Sequence, residues 1–157
     1  MLLVGPAQAA DIKASAQRKG SGLPIPRFAT LKSDEVNVRT GPGSRYPIDW
    51  VFKRKGMPVE IVAEFENFRK IRDWQGASGW VYQGLLTGKR SFIIPSKVAN
   101  LYKTPAASAE VIAKLEPEVM GEIRSCQGDW CRVKVSSVSG WLQRTEIWGV
   151  YKSEPVN

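Results

Sequence analysis

The 157-residue chain is predicted to be all-β, two tandem small antiparallel barrels packed together. Three observations predict it. Short runs of alternating apolar and polar residues recur at regular spacing, separated by turn residues. No amphipathic helix of useful length interrupts them. The second half of the chain repeats the plan of the first. A hydrophobic content of 43% with 24% charged residues fits a chain that buries a core. Fourteen glycines, ten prolines and six tryptophans suit many short strands and tight turns.

Taken in order, residues 1–10 read as a signal-peptide remnant. Ala7-Gln8-Ala9 has the small-x-small form of a cleavage site, and Leu2-Leu3-Val4 resembles the end of an apolar segment. The competing reading is an ordinary disordered N-terminus. Residues 11–27 read as a flexible basic tether, with the Arg18-Lys19 pair and the run Gly20-Ser21-Gly22-Leu23-Pro24-Ile25-Pro26.

The first barrel is expected over 28–90. Phe28 to Leu31 and Glu35 to Val38 flank a short turn. In Val36-Asn37-Val38-Arg39-Thr40-Gly41-Pro42-Gly43 the valines alternate with polar residues, and Gly-Pro-Gly then breaks the ladder. A wide surface loop follows, from Gly43 to Ile48. Trp50 to Phe52, Val59 to Ala63, Phe68 to Arg72 and Gly79 to Tyr82 are the next strands, and Leu85-Leu86 closes the unit.

The second barrel is expected over 95–151, after a short join from Gly88 to Pro95. Asn100 answers Asn37, Trp130 answers Phe68 and Gly140-Trp141 answers Gly79-Trp80, at offsets of 63, 62 and 61. Slowly drifting offsets mean two copies with small loop changes. Each copy has ~60 residues, small but viable for a barrel. The short join implies that the copies pack together.

These residues resemble the bacterial Src-homology-3-like domain family. Val36 to Gly43 fits that family's opening strand and loop, Tyr46-Pro47-Ile48 the loop's return, Lys55-Gly56 with Val59-Glu60-Ile61 the turn and central strand. Gly79-Trp80-Val81 and Leu86 fit the closing hairpin. The second copy diverges, with Tyr102-Lys103-Thr104-Pro105 in place of Arg39-Thr40-Gly41-Pro42. The resemblance implies an all-β barrel that binds peptides or cell-wall polymer, often in exported bacterial proteins and commonly fused to cell-wall hydrolases. Fold kinship alone does not fix the ligand.

The chemistry available is limited. There is no histidine, which removes histidine general bases and the Ser/His/Asp and Cys/His couples. The carboxylates are scattered at turns, and no nucleotide-binding glycine loop or metal cluster is present. The chain is therefore expected to be non-enzymatic, with no cofactor and no metal. No stretch approaches the ~20 apolar residues that span a membrane.

Cys126 and Cys131 are the only cysteines. They flank a turn, and an even count in an exported chain favours a disulfide. Reduced core thiols and a redox pair are the alternatives.

The net charge is +8, unevenly placed. From Asp11 to Arg90 there are 15 Lys/Arg against 8 Asp/Glu, and from Ser91 onward 8 against 7. This serves solubility or attraction to a polyanion.

Trp80, Trp141 and Trp130 sit at matched strand positions and are assigned to structure. Tyr46, Trp50 and Trp74, with Arg45 and Arg72 beside them, are the candidate ligand-binding residues. Exposed aromatics give large contact area at little entropic cost. Their alternative role is to cover the barrel's open ends. The expected partner is peptidoglycan or an envelope protein, in the periplasm or cell envelope. The alternative is a polyanion binder acting on nucleic acid or anionic lipid, with nucleic acid disfavoured by the export reading.

Overall fold

The structure, a computed structural model, describes residues 20–157. The readings made on residues 1–19 lie outside those residues. The first seven strands are β1 (Arg27–Leu31), β2 (Val36–Arg39), β3 (Ile48–Phe52), β4 (Pro58–Phe65), β5 (Phe68–Arg72), β6 (Ser78–Tyr82) and β7 (Leu86–Thr87), with a 3-10 turn at Gln83–Leu85. They form one antiparallel sheet in the order β3-β2-β6-β5-β4-β1-β7. The next six are β8 (Ser91–Ile93), β9 (Ala99–Tyr102), β10 (Val111–Leu115), β11 (Met120–Gln127), β12 (Trp130–Val135) and β13 (Val138–Gln143), followed by a 3-10 turn at Arg144–Glu146. Their order is β10-β9-β13-β12-β11-β8, which repeats the first sheet's order except that β7 has no counterpart. Together these are two packed SH3-like barrels.

Alternation explains the faces. Val36 and Val38 of β2 are fully buried while Asn37 between them is exposed. Gly79 and Val81 of β6 point inward in the same way. Gly79 lies so close to β2 that a Cβ there would strike Val38, and Gly140 is equally close to Leu101. The paired Gly-Trp dipeptides thus mark where two strands approach too tightly for a side chain. Backbones with positive φ also recur in register: Gly56 with Glu118, Glu66 with Gly128, and Gly76 with Ser136. The repeat read from side chains is therefore a repeat of turn geometry too.

Each barrel has its own core. One gathers Leu31, Val36, Val38, Met57, Val59, Ile61, Ile71 and Val81. The other gathers Phe92, Leu101, Val133, Leu142 and the half-cystines. Cys126 and Cys131 are bonded, with Cα atoms 4.1 Å apart on directly opposed positions of β11 and β12.

Within the expected join, Ser91–Ile93 is a strand of the second sheet and pairs with β11. Residues 91–94 are all buried, so there is no alternation to read. The second barrel also extends past residue 151: Val156 is buried and exchanges backbone hydrogen bonds with Cys126. Residues 20–26, read as a tether, are anchored where Ser21 donates from its amide and its hydroxyl to the Glu64 carboxylate.

The barrels meet along a mixed seam. Phe28 of β1 packs on Trp148 and Tyr151, with ring centroids 4.9 and 4.5 Å apart. Met120 of the second barrel packs against the first core. Tyr151 donates to Glu60, which is also paired with Arg72. Arg90 grips Glu154 at 2.7 and 2.8 Å, and the Thr30 and Ser91 hydroxyls lie 2.6 Å apart. Burial pushes the Tyr151 phenol up, and the Glu60 carboxylate adds to the effect. Burial also raises Glu154, but the bonds and charge of Arg90, with the Tyr151 amide, outweigh it and hold the carboxyl below its ordinary value. Among the described residues no helix is long and apolar enough to cross a membrane.

Candidate functional site

The loop after β2 is built around one ring. Tyr46 lies flat over Gly41, where any Cβ would run into it, and Gly43 sits on its far edge. The Gly-Pro-Gly sequence is thus needed for a side-chain contact, since neither glycine has a positive φ. The loop is closed by Thr40 donating to the Pro47 carbonyl at 3.1 Å and by Arg39 donating to the carbonyls of Ser44 and Tyr46 at 3.1 and 2.9 Å. Arg45 stacks over the Tyr46 ring, 5.1 Å from its centroid.

The other residues singled out from sequence lie elsewhere. Trp50 on β3 is half-buried, packs on the first core and meets Phe52 edge to face at 5.7 Å. Trp74 also packs on that core, under Arg54, whose guanidinium donates to the Glu118 carbonyl of the second barrel at 2.9 Å. Arg72 is engaged with Glu60. Arg45 and Tyr46 therefore form one group, while Trp50, Trp74 and Arg72 take part in packing and the seam. Trp80 and Trp141, assigned to structure, hold outward-facing strand positions because Gly79, Val81, Gly140 and Leu142 take the inward ones.

Beside the Tyr46 loop is a groove of ≈340 Å³. It is lined by Asn37, Arg39, Ser44, Asn67, Phe68, Tyr82 and Leu85. Phe68 and Tyr82 are cross-strand partners with centroids 6.1 Å apart. Tyr82 is 49% exposed, and its ring lies against Gly84, which has no side chain to obstruct it. The floor is held in place by Gln83, whose amide donates to the Asn67 carbonyl at 2.9 Å and whose side-chain oxygen accepts from Arg69 at 2.7 Å.

Arg69 is buried and further tied to the carbonyls of Glu66 and Phe68 and to Glu64. Burial raises Glu64, but hydrogen bonds from Ser21 and Arg27 and the charge of Arg69 outweigh it, so its carboxyl titrates below its ordinary value. The groove thus offers two aromatic faces, two amide side chains and one guanidinium on a rigid frame. Among the described residues no group of three or more His, Cys, Asp or Glu could hold a metal ion.

Sequence reasoning missed Phe68 and Tyr82 as surface residues. The signal was present: with Val81 inward, alternation puts Tyr82 outward, and pairing puts Phe68 beside it. In the second barrel the positions matching Arg39, Phe68 and Tyr82 are Tyr102, Trp130 and Gln143. There the Tyr102 and Trp130 rings meet edge to face at 5.4 Å.

The family comparison finds the same two copies. The model of the bacterial SH3 domain matches residues 32–88 and again 96–149. A Bacillus subtilis (strain 168) protein named "Putative N-acetylmuramoyl-L-alanine amidase YrvJ" is 27% identical over 125 residues, covering 73% of this chain and 24% of that protein. Among solved structures, NlpC1 from Trichomonas vaginalis is 12% identical with a TM-score of 0.36, over 82% of this chain and 48% of that one. An NlpC/P60 family protein from Bacillus cereus ATCC 10987 is 15% identical with a TM-score of 0.35, over 80% of this chain and 57% of that one. The chain spans about a quarter of the amidase and about half of each structure. With two matched segments that cover most of its length, this chain belongs to the bacterial SH3 domain family.

Proposed function

We propose that the chain is a non-enzymatic binding module of the bacterial cell envelope, which recognises peptidoglycan or an envelope protein or peptide through the first barrel. The observation that carries this reading is the groove lined by Phe68 and Tyr82 together with Asn37, Arg39 and Asn67. Aromatic faces pack on sugar C–H surfaces and alkyl side chains, and amide side chains pair with acetamido and peptide groups. Peptidoglycan carries both kinds of group. Arg45 and Tyr46, on the loop that also carries Ser44, form the outer edge of the site. The family membership and the amidase named among the relatives support an envelope context. The disulfide in the second barrel supports an oxidising compartment, here the periplasm or cell surface.

Binding of this kind is dominated by packing and neutral hydrogen bonds, so it resists salt. Co-sedimentation with purified peptidoglycan at low and high salt tests it, with Tyr82→Ala as the variant that removes an exposed groove wall and leaves the core intact.

A further inference from the structure

We propose that the cleft between the two barrels is an anion-binding site, in which Lys32, Lys55 and Lys89 surround a ligand bearing several phosphate or carboxylate groups. The cleft has a volume of ≈620 Å³ and is lined by these three lysines. Lys32 follows β1, Lys55 lies in the turn before β4 and Lys89 is in the join, while Met120, Gly121 and Glu122 of the second barrel close the other side of the cleft. All three are exposed. Among the described residues, none of the three is in an ion pair. The other charges on the cleft are already partnered: Glu122 with Arg124 at 3.0 Å, and Arg90 with Glu154 at 2.7 Å.

The frame is fixed. Thr30 donates to the Lys89 carbonyl at 2.6 Å and accepts from Ser91, which fixes the backbone of the join at Lys89. Both hydroxyl residues are buried. Leu31 and Met120 add an apolar wall of low dielectric. Like charges lining a concave, low-dielectric surface focus the potential and raise the local concentration of anions. This site is separate from the aromatic groove and shares no lining residue with it.

The test is titration calorimetry of the full chain with tripolyphosphate and, separately, with citrate, at about 0.1 M ionic strength, where charges more than ~10 Å apart are screened. Wild type is expected to bind at least one of them, and the tighter of the two gives the ligand's chemistry. Replacing Lys32, Lys55 and Lys89 by Gln is expected to weaken binding by about fivefold per lysine, roughly a hundredfold in all. Replacing the same three by Arg is expected to keep it. Replacing Lys97, Lys114 and Lys152 by Gln removes equal charge elsewhere and is expected to leave affinity within about twofold. Absence of binding by wild type overturns the proposal. So does equal weakening in the two Gln variants, because binding would then follow total charge. Tyr82→Ala is expected to retain anion binding, which separates failure here from failure of the groove.

Discussion

The Tyr151 phenol donates a 2.6 Å hydrogen bond to Oε2 of Glu60, so the C-terminal tail closes on a buried carboxylate of the first barrel. The other Glu60 oxygen is engaged by Arg72. A buried carboxylate that loses a partner keeps its desolvation cost. Tyr151→Phe is therefore expected to destabilise the protein by about 1–3 kcal/mol in urea denaturation. Arg72→Ala should destabilise it too, and the double variant should lose less than the sum of the two because both act on one carboxylate. A strictly additive double variant would show that the two bonds are independent.

The Tyr46 ring requires an absent side chain at Gly41. Gly41→Ala is expected to force the ring off the loop and to cost about 1–3 kcal/mol, as overpacking does. Gly43→Ala should be much milder, because a Cβ there would meet the ring at 3.5 Å, an ordinary contact. Thermal melts of the two variants check the contrast.

Cys126 and Cys131 close a very short loop on opposed strand positions. The chain-entropy account gives about 2 kcal/mol for such a closure. The double Cys→Ala variant is expected to lose about that much, measured by denaturation without reductant. Mass spectrometry after thiol alkylation under non-reducing conditions should find neither cysteine modified.

Glu64 and Glu154 both have carboxyls held below their ordinary value of 4.5. The folded protein then binds fewer protons than the unfolded chain as pH falls past that value. Their contribution is present above the unfolded value and is lost as pH falls through the lowered folded one. Urea midpoints measured from pH 7 downward should hold steady, then fall below pH 4.5. Glu154→Gln should flatten part of that decline.

The sequence made most of the fold legible, for reasons seen in particular residues. Val36 and Val38 alternate with exposed neighbours because one face of β2 is wet and the other buried. The repeat was readable because Gly79 and Gly140 are each compelled by a strand crossing. β8 was not readable, since Ser91, Phe92 and Ile93 are all buried and show no alternation.

The candidate site was legible only in part. Tyr46 stands out in the sequence because the Gly-Pro-Gly loop draws attention to it, and its ring packs on that loop beside the groove. Trp74 in a polar turn looked exposed, yet its ring packs on the core under Arg54. Only tertiary contact from Glu118, 64 residues away, reveals that arrangement. Phe68 and Tyr82 were hidden by their place in regular strands, where aromatic residues are ordinary.

The most direct test of the central claim is co-sedimentation with purified peptidoglycan at high salt, comparing wild type with Tyr82→Ala. The groove reading predicts that wild type stays bound and that the variant binds about tenfold more weakly or worse, the cost of losing one well-placed aromatic. Wild type released by salt, or a variant as tightly bound as wild type, would contradict it.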